Sequence, residues 1–240
     1  MMHHNPAGQH FPVVLMAGGL GTRLLPLTEA CPKPLLTIGR KPILEILLEA
    51  LIRQSFREFY IAVNYKREMI ESFCGDGSRF GIRIRYLRET RQLGTAGALG
   101  LLPKKLERPI LVINADLLTD LDCRMMIRHH LNSGGAATMG VREHLLTVPY
   151  GVVEANGSQF EGLVEKPVQR LLVNAGIYVL EPWAAQRIPP DIPLGMPALF
   201  ELLKRQGERL TVFPIAGEWL DIGTPESYAR ANREYGEVYT

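Results

Sequence analysis

The chain has little cysteine. Cys31, Cys74 and Cys123 are isolated and odd in number, and no CxxC pair exists. That excludes a disulfide framework and a cysteine-built zinc site, and leaves small buried thiols of a reducing cytosol. Neither sign of charge is in excess, because 27 Lys and Arg against 25 Asp and Glu give a formal net charge of +2. A dedicated nucleic-acid binder normally shows a strongly basic face, so nucleic acid is not expected as a partner. Long hydrophobic runs are missing too. The most apolar helical stretch, Ile43 to Leu51, carries Glu45 and Glu49 and falls far short of the roughly twenty residues that span a bilayer, so no membrane partner is expected. Met1–His10 is polar and has no apolar centre like that of a signal peptide. Residues 1–11 therefore read as a flexible leader, and the protein as cytoplasmic. With no repeat, low-complexity tract or linker to divide them, residues 12–240 read as a single domain.

What is present is an average globular composition, 46% hydrophobic and 22% charged, with a rhythm. Val13–Met16 is a short apolar run ending in glycines, a buried first strand. Ala17–Arg40, rich in Gly, Pro, Arg and Lys, reads as a long functional loop. A helix opens at Pro42, with Ile43, Ile46, Leu47, Ala50 and Leu51 in one apolar stripe. Strands at Phe59–Val63, Ile82–Leu87 and Ile110–Ile113 then alternate with helices at Arg67–Phe73, after Thr95 as a cap, and from the cap Asp122 towards Leu131. Such alternation predicts an α/β fold with a Rossmann-like, mainly parallel central sheet flanked by helices. From Ala136 short strands take over at Gly151–Ala155, Gln159–Val164 and Val173–Leu180, with Asn156-Gly157 a hairpin signal. They predict an added antiparallel lobe. Helices at Pro197–Gln206 and Pro225–Tyr235, with a strand at Leu210–Pro214 between them, complete the expected order.

The densest chemistry lies in Ala17-Gly18-Gly19-Leu20-Gly21-Thr22-Arg23, followed by Pro32-Lys33-Pro34. Glycines directly after a strand let backbone N–H groups approach phosphate oxygens, and Arg23 and Lys33 add fixed positive charge. The P-loop pattern G-x-x-x-x-G-K-[ST] is missing, and the dinucleotide pattern G-x-G-x-x-G fails because Leu24 takes its last glycine position. The stretch GGLGTRLLPLT…PKP resembles the signature of the sugar-phosphate nucleotidyltransferases. The resemblance continues through LGTAGAL (Leu93–Leu99), INADLL (Ile113–Leu118), VPYG (Val148–Gly151), VEKP (Val164–Pro167), NAGIYVL (Asn174–Leu180) and WLDIGTPE (Trp219–Glu226). It spans nearly the whole chain from Val13.

Asp116 follows an apolar strand and could be a turn or cap residue, while Asp221 is a carboxylate framed by apolar neighbours. The resemblance implies that the two hold Mg²⁺ between them, the expected cofactor, against the triphosphate and the sugar phosphate. It further implies that Lys166 binds the sugar phosphate and Glu165 the sugar hydroxyls, with Gly151 and Asn174 as other sugar contacts. Gly94 and Gly97 would lie against the nucleotide base or ribose. Glu89 stands where relatives place a base-reading residue, and a carboxylate there could accept from guanine N1–H and the exocyclic amine. An edge glutamate facing water explains it as well.

The implied reaction joins a sugar 1-phosphate to a nucleoside triphosphate, GTP by the look of the sequence, with release of pyrophosphate. The nucleophile is already an anion, so no general base is needed, and Mg²⁺ at Asp116 and Asp221, with Arg23, Lys33 and Lys166, would neutralise and align two polyanions. VPYGVVEANG…EKPVQRLLVNAGIYVLEP resembles guanylyltransferases acting on glucosamine 1-phosphate, mannose 1-phosphate or related sugars, in cell-surface glycan, nonulosonate or heptose precursor synthesis. A UTP- or dTTP-specific enzyme of the same family, or a non-catalytic nucleotide-sugar-binding relative, stays open. Relatives often carry CBS modules, which this chain lacks, and with no hexapeptide-repeat tail an acetyltransferase activity is not expected. Relatives also form dimers or tetramers, so a homo-oligomer is open, but no exposed stripe in the sequence identifies an interface.

Overall fold

Apolar runs too short for helices become strands, and a computed structural model describes residues 11–235. The leader 1–10 lies outside the described residues. Phe11, the leader's last residue by sequence, is instead buried in the core.

The first half builds β1 (Val13–Met16), α1 (Leu27–Ala30), β2 (Thr37–Ile38), β3 (Lys41–Pro42), α2 (Ile43–Arg53), β4 (Glu58–Val63), α3 (Arg67–Cys74), β5 (Arg83–Arg88), α4 (Gly94–Gly97) and β6 (Ile110–Asn114). The second half builds β7 (Leu117–Thr119), α5 (Cys123–Ser133), β8 (Ala137–Thr147), β9 (Val152–Asn156), β10 (Gln159–Val164), β11 (Val168–Leu180), α6 (Pro182–Gln186), α7 (Met196–Arg205), β12 (Leu210–Pro214), β13 (Trp219–Asp221) and α8 (Pro225–Tyr235).

Seven strands form one sheet in the order β12-β8-β11-β6-β1-β4-β5. β6, β1, β4 and β5 are parallel, and β11 runs against both β6 and β8. The expected mainly parallel α/β sheet is what forms. Its middle strands are apolar on both sides because both sides are covered. Val13 and Leu15 pack under α2, α3 and α5, while Val14 packs under α4, α6 and α7. Helix α2 buries Ile43, Leu44, Ile46, Leu47, Leu48 and Leu51 and turns Glu45 and Glu49 outward. Its stripe is wider than expected, and Ala50 lies only at its margin. A third apolar cluster joins Leu24, Ile38, Leu118, Leu220, Ile222 and Ala231, tying the long loop to the β7–β13 pair and α8.

Some expectations change. The segment read as one long loop holds α1, β2 and two short 3-10 turns. Thr95 does not cap its own helix, since its hydroxyl accepts from the Met196 N–H at the start of α7. Asp122 does cap α5, accepting from the Arg124 and Met125 N–H groups. The antiparallel lobe is a long ribbon. β8 and β11 pair from Ala137↔Leu180 to Thr147↔Val168, Val148 N–H and Lys166 N–H continue the ladder to Pro167 O and Tyr150 O, and β9–β10 close it at Asn156-Gly157. No helix among the described residues is long and apolar enough to cross a membrane.

Candidate active site

β1 and β6 lie side by side with Met16 opposite Asn114, and both end at the same sheet edge. The chain leaves β1 towards β4 on one side and reaches β6 on the other, so a crevice opens at the strand ends. Two cavities occupy it. The larger, about 560 Å³, has Gly18, Gly19, Glu89, Gly94, Asn114 and Asp116 in its wall. The smaller, about 200 Å³, has Ala17, Gly21, Thr22, Arg23, Lys33 and again Asp116.

Asp116 and Asp221, far apart in sequence, meet here. β13 pairs with β7 so that Asp221 stands opposite Leu117, and Ile222 N–H donates to Asp116 O at 3.0 Å. The Lys33 ammonium donates to Asp116 Oδ2 and lies 3.9 Å from Asp221 Oδ1. Oδ1 of each aspartate is buried and has no hydrogen-bond partner among the described residues. Burial pushes the Asp221 carboxyl up, the Asp116 charge adds to that, and Lys33 and Arg23 pull it back. Two orphaned carboxylate oxygens on aspartates that share Lys33 between them are a donor set that fits a divalent cation. Among the described residues no group of three or more His, Cys, Asp and Glu stands together. The remaining ligands would then be phosphate and water oxygens, as Mg²⁺ commonly takes.

The glycine loop is shaped by close approach. A methyl group at Gly18 would stand 2.5 Å from Glu89 Oε1. Gly21 is left-handed at φ 66°, and its carbonyl accepts from the Thr28 hydroxyl at 3.0 Å. The Arg23 guanidinium rests against Gly223, where a Cβ would lie 3.0 Å from Nη2. Glu89 is not a solvated edge residue, since it is only 6% exposed and walls the larger cavity. Its Oε2 accepts from the Leu93 N–H at 2.8 Å. Burial raises its carboxyl above the usual range, against the pull of that bond.

The two glycines expected to touch the nucleotide divide. Gly94 is in the cavity wall, but Gly97 is not in contact with that space. Its N–H donates to Leu194 O at 3.0 Å, and a Cβ there would stand 2.5 Å from Ile192 O. Residues 188–195 form a strap laid directly over Gly94, Gly97 and Gly100. That strap, which brings Pro193, Leu194 and Gly195 to the cavity, was not anticipated, although glycines spaced i, i+3, i+6 on one helical face mark a slot for backbone. Asn114 was missed as well. Its Oδ1 is buried without a partner among the described residues, and a polar residue closing an apolar strand was the available signal.

The sugar-side residues stand elsewhere. Gly151, Glu165 and Lys166 lie on the exposed ribbon, where a Cβ on Gly151 would meet Glu165 Oε2 at 2.9 Å. Lys166 holds a left-handed backbone at φ 45°, uncommon for a side-chain-bearing residue. Asn174 sits at the ribbon's base and turns on its own strand, donating to the Tyr178 hydroxyl at 2.8 Å and accepting from the Gly176 N–H at 2.9 Å.

Comparison with known proteins bears on this site. The Nucleotidyl transferase family matches residues 12–238. The mannose-1-phosphate guanylyltransferase catalytic subunit beta of Drosophila melanogaster is 34% identical, over 93% of this chain and 63% of its own length. A mannose-1-phosphate guanyltransferase of Pichia angusta is 34% identical, over 90% of this chain and 61% of its own. The chain thus spans less than two thirds of these curated relatives. Among solved structures, HddC from Yersinia pseudotuberculosis complexed with GMP-PN has a TM-score of 0.74 at 27% identity, covering 94% of this chain and 99% of its own. A UDP-glucose pyrophosphorylase complexed with UDP-glucose, at 19% identity and a TM-score of 0.72 over 95% and 99% of the two chains, shares the fold.

Proposed function

Because the chain belongs to the nucleotidyl transferase family, we propose that it joins a sugar 1-phosphate to GTP, giving a guanosine diphosphate sugar and pyrophosphate. The observation that carries this reading is the meeting of Asp116 and Asp221 around Lys33, beside the glycine loop at the end of β1. Residues 12–240 would act as one catalytic unit in the cytoplasm.

In this reading the triphosphate lies along the Ala17–Thr22 backbone. Arg23 and Lys33 hold its phosphates and offset the charge that grows on the leaving pyrophosphate. Asp116 and Asp221, each with an unpartnered Oδ1, would hold a divalent cation, Mg²⁺ by donor chemistry, and such an ion would supply positive charge against that of the phosphates. Lys166, from the ribbon, receives the sugar phosphate, and Glu165 with Gly151 and Asn174 the sugar. The sugar phosphate oxygen attacks the α-phosphorus in line and the bond to pyrophosphate breaks. No proton has to be removed from that nucleophile.

The guanine ring would occupy the larger cavity. Glu89, held by its bond to Leu93, offers the carboxylate that a purine with N1–H and an exocyclic amine can engage. The names of the curated relatives favour mannose 1-phosphate as the sugar, and glucosamine 1-phosphate is the sequence-based alternative. Pyrophosphate release, followed over a panel of nucleoside triphosphates and hexose 1-phosphates with Mg²⁺, tests the proposal. Release should be greatest with GTP and one of these two sugars. No release with any pair would leave only a nucleotide-sugar-binding role.

A further inference from the structure

Among the described residues one imidazole is fully buried, that of His130, and the proposed reaction gives it no task. It lies on the buried stripe of α5 with Cys123, Met126 and Ile127, in a row where an apolar side chain is ordinary. A polar ring placed there has to find partners. Nδ1 stands 2.8 Å from the Thr138 hydroxyl oxygen on β8, and that oxygen stands 2.7 Å from the Thr211 hydroxyl oxygen on β12. Nε2 stands 3.2 Å from Glu181 Oε1, at the turn from β11 into α6. The group sits at the end of the sheet away from the crevice, since Leu180 pairs with Ile110 at the start of β6.

The partners fix the direction of each bond. An ionised carboxylate only accepts, so Nε2 carries the hydrogen and donates to Glu181. In a neutral ring Nδ1 is then the acceptor, the Thr138 hydroxyl donates to it, and the Thr211 hydroxyl donates to Thr138. A second proton makes Nδ1 a donor. Thr138 must then turn its hydrogen to Thr211, Thr211 must turn its own away, and the hydroxyl chain reverses. The added charge would be sealed in a side chain without exposure, with Glu181, its own side chain 31% exposed, as the opposite charge. β12 has no titratable side chain, and β8 has none before Arg142, whose guanidinium donates to the carbonyls of Ile215 and Gly217. Tyr178 of β11 faces the opposite layer. On α5 itself Arg124 and Arg128 lie off the buried stripe, and His129 is the neighbouring base. Burial therefore holds the His130 imidazole below its usual range, while Glu181 pulls the other way and His129 adds to the lowering.

We propose that Glu181, His130, Thr138 and Thr211 form an acid-sensitive fastener, closed by a neutral imidazole and released by its protonation, that ties α5 and the edge strand β12 to the sheet. Above about pH 6.5, the ordinary histidine value, the ring is neutral in folded and unfolded chains alike and the fastener contributes in full. Below it the unfolded chain takes the proton first, and the contribution is lost as pH falls through the lower folded value. The inference is independent of which substrates the site takes.

Urea unfolding of the full chain and of His130→Gln between about pH 8 and pH 5 tests it. Groups common to both chains cancel in the ratio of their folding constants. That ratio, wild type over variant, is expected to be level above about pH 7 and to fall by up to about tenfold per pH unit below about pH 6.5. A ratio that stays level down to pH 5, or rises, overturns the proposal. Should the variant fail to fold, NMR titration of the imidazole nitrogens in the isotope-labelled wild type decides. The His130 ring should be neutral at pH 7, carry its hydrogen on Nε2 and titrate below about 6.5. A ring charged at pH 7, with its hydrogen on Nδ1, or titrating at or above that value overturns it.

Discussion

At Glu89, burial and charge oppose each other, and the consequence has a sign. A carboxyl raised by burial keeps its proton longer in the folded chain than in the unfolded one. Its contribution to stability is therefore fully present below about pH 4.3, the unfolded glutamate value, and is lost as pH rises through the raised folded value. Glu89→Gln carries a neutral amide that can still accept from Leu93 N–H. The variant should thus melt higher than the wild type at pH 8, with the gap closing towards pH 4, on a scale of about 2–4 °C per kcal/mol. Thermal unfolding at several pH values checks this, and a gap independent of pH would count against a buried ionised carboxylate. The same variant should lose its preference for GTP over UTP in turnover, and an unchanged ratio would remove Glu89 from base reading. Sequence alone left Glu89 between a base contact and an edge residue, because the burial comes from packing against Gly18 and Leu93 across a loop. By contrast Arg23 and Lys33 were legible at once, as cations placed beside a glycine turn.

Among the elements, α4 is the most exacting. Ala96 and Gly97 donate to Leu194 O, and Leu194 N–H donates to Leu93 O, so helix and strap are laced backbone to backbone. A methyl group on Gly97 would meet a carbonyl oxygen, which cannot swing aside as a flexible side chain can. Gly97→Ala is expected to destabilise the chain by about 1–3 kcal/mol, the usual cost of overpacking. Because Pro193, Leu194 and Gly195 wall the larger cavity, it should also raise the KM for GTP more than that for the sugar phosphate. Denaturant unfolding and KM values for both substrates are the measurements, and a variant with unchanged stability would show that the strap is loosely held. Local pattern predicted a helix here and read Thr95 as its cap. It could not show that the Thr95 hydroxyl serves α7 instead, since that bond spans about a hundred positions of sequence.

For the molecule as a whole, periodicity was enough for the alternating half. The short apolar runs Val13–Met16, Phe59–Val63 and Ile110–Ile113 all fall within strands of the one sheet, because a strand buried on both faces has to be apolar throughout. The outer half of β8 and the outer length of β11 were not legible, because a solvated ribbon needs no apolar alternation. The convergence of Asp116 and Asp221 was expected from resemblance and not from spacing. It comes about through the pairing of β7 with β13 and the apolar cluster of Leu118, Leu220 and Ile222 beneath it. The most direct test of the central claim is the rate of Mg²⁺-dependent pyrophosphate release by Asp116→Ala, Asp221→Ala and the double variant. If the two carboxylates serve one cation, each single change lowers kcat by about a hundredfold or more and the double is little worse than the poorer single. Near wild-type turnover in either single variant would contradict the account.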